Sequence, residues 1–137
     1  KLELFDISDT SAPVSQSLIE IGTGYEWAYS PAQYNRYAFT YLEGEESDRL
    51  SVPYSAAVRN EQGYTLVDRI ALFEINNKED AQRASIASVG EVTLRPGSVS
   101  DDTRVIIDAE ALYVVAQSEL MSGFWSYPEA LQRLPTD

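Results

Sequence analysis

Residues 104–134 read RVIIDAEALYVVAQSELMSGFWSYPEALQRL, and this stretch decides the fold class. Apolar runs at Arg104 to Asp108, Ala111 to Ala116, Met121 to Tyr127 and a weaker one ending at Leu134 are separated by short polar or small-residue breaks. The spacing predicts four short strands in succession, because each run is of strand length and each break is of turn length. Connections this tight join antiparallel neighbours, so the expected architecture is a sandwich, a barrel or a propeller. One helical turn at Pro128-Glu129-Ala130-Leu131 is compatible with that order.

Upstream, the same grammar repeats. Asn60-Glu61-Gln62-Gly63 is a turn, followed by a long strand over Tyr64 to Ile75, a second turn at Asn76 to Asp80 and a returning strand from Arg83 to Val89. Residues 90–103, containing Arg95-Pro96-Gly97, make the longest connection. Tyr37 to Leu42 and Leu50 to Tyr54 alternate cleanly and flank the polar connector 43–48, which predicts a hairpin. Pro53 lacks an amide hydrogen, so its amide side should face a sheet edge or a bulge. Tyr25, Trp27 and Tyr29 repeat at period two before Pro31 interrupts them, as in a short or irregular strand. Leu2 to Ile7 is apolar on both faces and reads as an interior strand, Ser8 to Pro13 as a turn, and Val14 to Ile21 as the strand returning beside it. Residues 77–87 are the best helix candidate and lack an apolar stripe at helical spacing.

Three segments carry a resemblance to a known family. Leu4-Phe5-Asp6-Ile7-Ser8-Asp9-Thr10-Ser11-Ala12-Pro13 resembles the L-F-D-V-S-D-P-x-x-P signature of bacterial and archaeal secreted β-propeller-domain proteins, with Thr10 in place of the first proline. Tyr34-Asn35-Arg36-Tyr37-Ala38-Phe39 is similar to the family's A-L-Y-D-H-K-A-F stretch, with Asn35 and Arg36 replacing Asp and His. Arg104 to Asp108 with Ala111 to Val115 is similar to its R-x-x-x-I-x-D-x-L-Y-T-V-S pair of inner strands. The resemblance implies antiparallel four-stranded blades of a β-propeller: the end of one blade at 1–21, a blade with an extended hairpin at 25–89 and the next blade at 104–134. It also implies a longer, exported and surface-associated parent, without an established enzymatic activity and without catalytic residues to carry over.

Propellers close with about four to eight blades, so two blades would leave broad sheet faces uncovered. The favoured expectation is that the rest of the propeller stays associated as another chain; self-association of copies is the alternative. Lys1 in place of an initiating Met fits a processed or truncated product.

Composition bounds the chemistry. With 137 residues the chain is one domain in size, and 44% hydrophobic with 23% charged residues is ordinary for a folded protein. Asp and Glu number 22 against 10 Lys plus Arg, a formal charge of -12, which disfavours nucleic acid and anionic membrane surfaces as partners. Cys and His are absent, removing disulfides, thiol nucleophiles, His-based triads and the common zinc ligand sets. No apolar run is long enough for a membrane helix.

Glu43, Glu45, Glu46 and Asp48 crowd one connector, where hard cations such as calcium could bind, but their spacing matches no calcium loop and they read as a solvated hairpin tip. Asp101-Asp102 reads the same way. Paired carboxylates can hydrolyse glycosides without His, yet no spacing singles out a pair, so catalytic, cofactor-binding and metal residues are all expected to be none. Tyr25, Trp27, Tyr29, Tyr34, Tyr37, Phe39 and Tyr41 are either a sugar-stacking platform or, the preferred reading, packing residues. On that reading contact between blades buries Tyr37, Phe39 and Tyr41 together, and Trp125 packs likewise. The sequence therefore predicts a non-enzymatic, extracytoplasmic structural or interaction module that binds protein or carbohydrate through its loop rims. The competing readings are a carboxylate-dependent glycan hydrolase or lyase completed by other blades, and a free-standing glycan-binding β-sandwich.

Overall fold

The computed structural model describes residues 1–117 and 119–135. Among these residues every regular strand pairing is antiparallel. The strands are β1 (Leu2–Asp6), β2 (Val14–Ile19), β3 (Trp27–Tyr29), β4 (Thr40–Leu42), β5 (Ser47–Asn60), β6 (Gly63–Asn76), β7 (Ser85–Leu94), β8 (Arg104–Asp108), β9 (Ala111–Ala116), β10 (Glu119–Phe124) and β11 (Gln132–Leu134). They form a β1–β2 hairpin, a five-stranded sheet in which β3 and β4 both pair with β5 ahead of β6 and β7, and a four-stranded meander β8–β9–β10–β11.

The five-stranded sheet is the middle layer because both of its faces are apolar. On β6, Ile70 and Leu72 point to one side and Ala71 and Phe73 to the other, following the two-residue period of a strand. The first pair joins Val92 and Leu94 of β7 against Val105, Ile107, Leu112, Val114 and Met121 of the meander. The second joins Leu50, Val52, Tyr54 and Ile86 against the half-buried Leu2, Leu4 and Ile19 of the hairpin. Truncating a fully buried member such as Leu72 to Ala removes about 2–5 kcal/mol.

The two larger sheets stack first strand to first strand. The Thr40 hydroxyl on β4 donates to the Val105 carbonyl on β8 at 2.8 Å. At the opposite edge Gly90 of β7 meets Pro128, in the 3-10 turn Pro128–Ala130. Gly90 sits at a bulge, where the register skips Val89, with φ +149; a Cβ there would lie 2.8 Å from Pro128 Cγ, so glycine is what lets the turn close on the sheet.

Several expectations change. Residues 90–94 belong to β7, so the long connection is 95–103; β-pairing with β6 continues past the bulge and carries the strand on. Tyr37 is not in a strand: the Asn35 side chain accepts from the Tyr37 amide and winds Arg36–Ala38 into a 3-10 turn, leaving β4 only three residues. A second 3-10 turn, Pro31–Gln33, is capped by Ser30. The first strand is covered on one side only, because Phe5 and Ile7 face outward and are exposed. Residues 77–84 form successive turns and no helix. The β4–β5 pairing does place Tyr41 opposite Leu50, and β8 and β9 occupy the expected ranges.

Pro53 fulfils its constraint inside the sheet. It pairs with Ile70 on the β6 side, while along the other side of β5 it falls in the break between β4, opposite 49–51, and β3, opposite 55–57. The Ser30 hydroxyl donates to the Pro53 carbonyl in that break at 2.5 Å, so the missing amide hydrogen leaves no ladder bond unmade.

Candidate functional site

Three groups of polar and aromatic side chains stand out, each placed by the stacking of the sheets. The first lies where the first-strand edges of the two larger sheets meet. Trp27 and Tyr29 project from the same face of β3, and the 3-10 turns that follow carry Tyr34, which meets Tyr29, and Tyr37. The Tyr29 and Tyr34 rings are 6.0 Å apart, tilted by 30°. The Tyr34 hydroxyl donates to the Asp101 carboxylate and accepts from Tyr29, and the Asn35 amide donates to the Asp101 carbonyl at 2.7 Å. Arg104 bonds that same carbonyl at 2.6 Å and its guanidinium lies 6.0 Å from the Tyr37 ring, with Arg36 at 4.8 Å. The bond to Asp101, then that to Tyr29, raises the Tyr34 hydroxyl far above its ordinary pKa, so it remains a donor. All four rings are exposed, from 41% for Tyr29 to 61% for Tyr37.

The second group corrects the acidic connector. Glu43, Glu45 and Glu46 are exposed, but Asp48 is buried within β5. Its carboxylate accepts from Lys78 Nζ at 2.6 Å, from the Tyr41 hydroxyl at 2.5 Å and from the Gly44 amide at 3.1 Å. Burial opposes its charge, and these bonds more than offset that, holding its carboxyl below the usual range; Asp48 in turn raises Lys78. The group floors a groove of about 420 Å³ beside β1, walled by Leu4 and Phe5. Its own members satisfy one another, so it acts as a buttress for the β4–β5 turn.

The third group ties the two larger sheets together. The Trp125 indole, 1% exposed, donates to Glu74 of β6 at 2.8 Å, and the Arg49 guanidinium lies 5.1 Å from its ring. Arg49 also bonds the Ala109 carbonyl and pairs with Glu110 at 2.5 Å, which lowers the Glu110 pKa, assisted by the Ser126 hydroxyl. Farther along, buried Glu119 staples the 95–103 loop, accepting from the Arg95 amide at 2.6 Å and from Ser98 at 3.0 Å while pairing with Arg133 at 2.6 Å. Burial works against its ionisation, and these donors keep its pKa below the ordinary value.

The structure therefore brings Tyr29, Tyr34 and Asp101 together, with Tyr37 joined to them through Arg104 and Trp27 two residues from Tyr29 on β3. Tyr25 packs half-buried against Tyr54 at 6.5 Å, and Trp125 is buried as expected. Tyr37, Phe39 and Tyr41 are exposed and not buried together: the 3-10 turn takes Tyr37 out of the row, and the two-stranded hairpin leaves Phe39 and Tyr41 largely uncovered. Asp102 stays exposed. Among the described residues no three His, Cys, Asp or Glu side chains gather into a metal-holding group, and no helix is long and apolar enough to cross a membrane. Sequence reading missed Lys78, Arg49, Glu74 and Glu119 as partners, since each acts across more than a dozen residues of separation. The one local signal was that lysine is so rare in this chain.

Stacked antiparallel sheets with apolar side chains packed between them define an all-β scaffold. A protein-family model described as Beta propeller domain matches residues 1–126, and the chain belongs to that family. No curated protein and no solved structure matches it.

Proposed function

We propose that this chain is a structural and interaction module of an extracytoplasmic β-propeller, whose sheets are blades completed by others of their kind. The observation that carries the reading is that both outermost layers present apolar side chains to solvent. Phe5, Val14 and Leu18 do so on the hairpin, and Ile106, Tyr113, Val115 and Phe124 on the meander, whereas the centre of the middle sheet, 50–57 on β5 and 70–73 on β6, is covered on both faces. β8, β9 and β10 of the meander thus carry apolar side chains on a second face that a neighbouring sheet would cover. The extracytoplasmic placement rests on the likeness of residues 4–13 to the signature of secreted propeller proteins.

A non-enzymatic role fits the carboxylates. A general acid needs a raised pKa, and Asp48, Glu110 and Glu119 are all lowered by their cationic and hydroxyl partners. The remaining loops at the first-strand edges are left for protein or carbohydrate ligands.

Native mass spectrometry with sedimentation of the purified chain tests the assembly. The expected species is an oligomer, or a complex with further propeller chain, that loosens when Ile106 and Phe124 are replaced by Thr and Ser. A monodisperse lone monomer of undiminished stability would count against the reading.

A further inference from the structure

We infer that Trp27, Tyr29, Tyr34 and Tyr37, with Asp101, Asn35 and Arg104, form a binding platform for a neutral, extended oligosaccharide. The inference rests on the interaction role proposed above and names its ligand class. Trp27 and Tyr29 stand about 7 Å apart along one face of β3, and the Tyr34 ring lies 6.0 Å from that of Tyr29, tilted by 30°. Exposed aromatic rings suit ligands whose own rings have one apolar face and a hydroxylated rim.

The polar groups around the rings match that rim. Tyr34 is held from both sides by Tyr29 and Asp101, so its ring orientation is set before a ligand arrives, and ordering costs little on binding. Asn35 and Arg104 are anchored on the Asp101 carbonyl at 2.7 and 2.6 Å, placing amide and guanidinium donors next to a carboxylate acceptor. Arg36 and Arg104 locally balance Asp101 and Asp102, which favours an uncharged ligand, and the formal charge of -12 over the chain repels polyanionic glycans. A protein partner would instead seat an aliphatic or aromatic anchor in a desolvated pocket. Here Tyr34, Tyr37 and Asp101 are all exposed, so the polar contacts around the rings stay open to solvent.

The two tryptophans give a direct readout, since Trp27 is 45% exposed and Trp125 only 1%. Titrating the full chain with cellohexaose, xylohexaose, mannohexaose and chitohexaose, by calorimetry and by tryptophan emission, should reveal binding of at least one. Tyr34→Ala and Trp27→Ala should each weaken it about tenfold, and Tyr34→Phe, which keeps the ring and loses the bond to Asp101, by less. Sedimentation of the same samples keeps the two readings apart. A chain that assembles yet binds none of the four probes overturns the platform alone; a lone monomer that binds with the expected variant pattern overturns the assembly alone. Binding indifferent to Tyr34 and Trp27, or capture of polypeptide at these rings with no sugar bound, also overturns the platform.

Discussion

Asp48 shows how one residue can be misread by its neighbours in sequence. Four acidic residues within 43–48 look like a single solvated run, but alternation along β5 turns Asp48 inward, where its side chain is 5% exposed beside a Lys78 that is 18% exposed. Nothing local signals this, because Lys78 arrives from the far end of β6. The pair has a definite pH signature. Asp48 and Glu119 have folded pKa values below their ordinary ones, so the unfolded chain binds more protons near pH 4. Their stabilisation is complete above about pH 5 and drains as pH falls through the unfolded and then the folded value. Lys78 has the opposite sign: its contribution is complete below about pH 10 and is lost as pH rises through its raised value. Asp48→Asn should lower stability by about 2 kcal/mol at pH 7 by stranding the ammonium, and should flatten the acid limb of a melting-temperature profile. A variant with wild-type stability and an unchanged acid limb would show that the buttress contributes nothing.

At the scale of elements, β8 and β9 were legible because the turn between them is specified by its own residues, whereas β10 runs over Glu119–Phe124 and not over Met121 to Tyr127. The β8–β9 turn at Ala109-Glu110 pairs Asp108 with Ala111, and it holds Ala109 at φ +48, the left-handed region that costs an L residue about 1–2 kcal/mol. Ala109→Gly keeps the carbonyl that Arg49 binds and relieves that cost, so thermal unfolding should shift upward by about 3 °C; a fall would mean that the turn is not strained. The segment 30–42 was illegible for a related reason. Tyr37, Phe39 and Tyr41 satisfy the period of a strand, yet caps from Ser30 and Asn35 compete for the backbone amides and win locally, since no neighbouring strand pairs with 36–38. Tertiary pairing likewise extended β7 past Gly90, where glycine alone reads as a break.

Across the whole molecule, the layered order could be read from the apolar character of both faces of the long strands, but the lateral offset of the hairpin could not. Two strands cover the middle sheet where Leu2, Leu4 and Ile19 meet Phe73 and Ile86, and leave Phe39 and Tyr41 open. The edge-to-edge contact of β4 with β8, which creates the aromatic platform, is also a product of stacking and not of any single segment. Assembly thus precedes the site in the logic of the fold, and burial of the outer faces is the claim from which the rest follows.

The absence of cysteine makes that claim directly measurable. Single cysteines placed at Ile106 and Val115 on the outer face, with Ser126→Cys as an exposed control, can be labelled by a maleimide under native conditions. The account predicts that 106 and 115 are protected in the native assembly and react only on unfolding, while 126 reacts at once. Equally fast labelling at all three positions would contradict it.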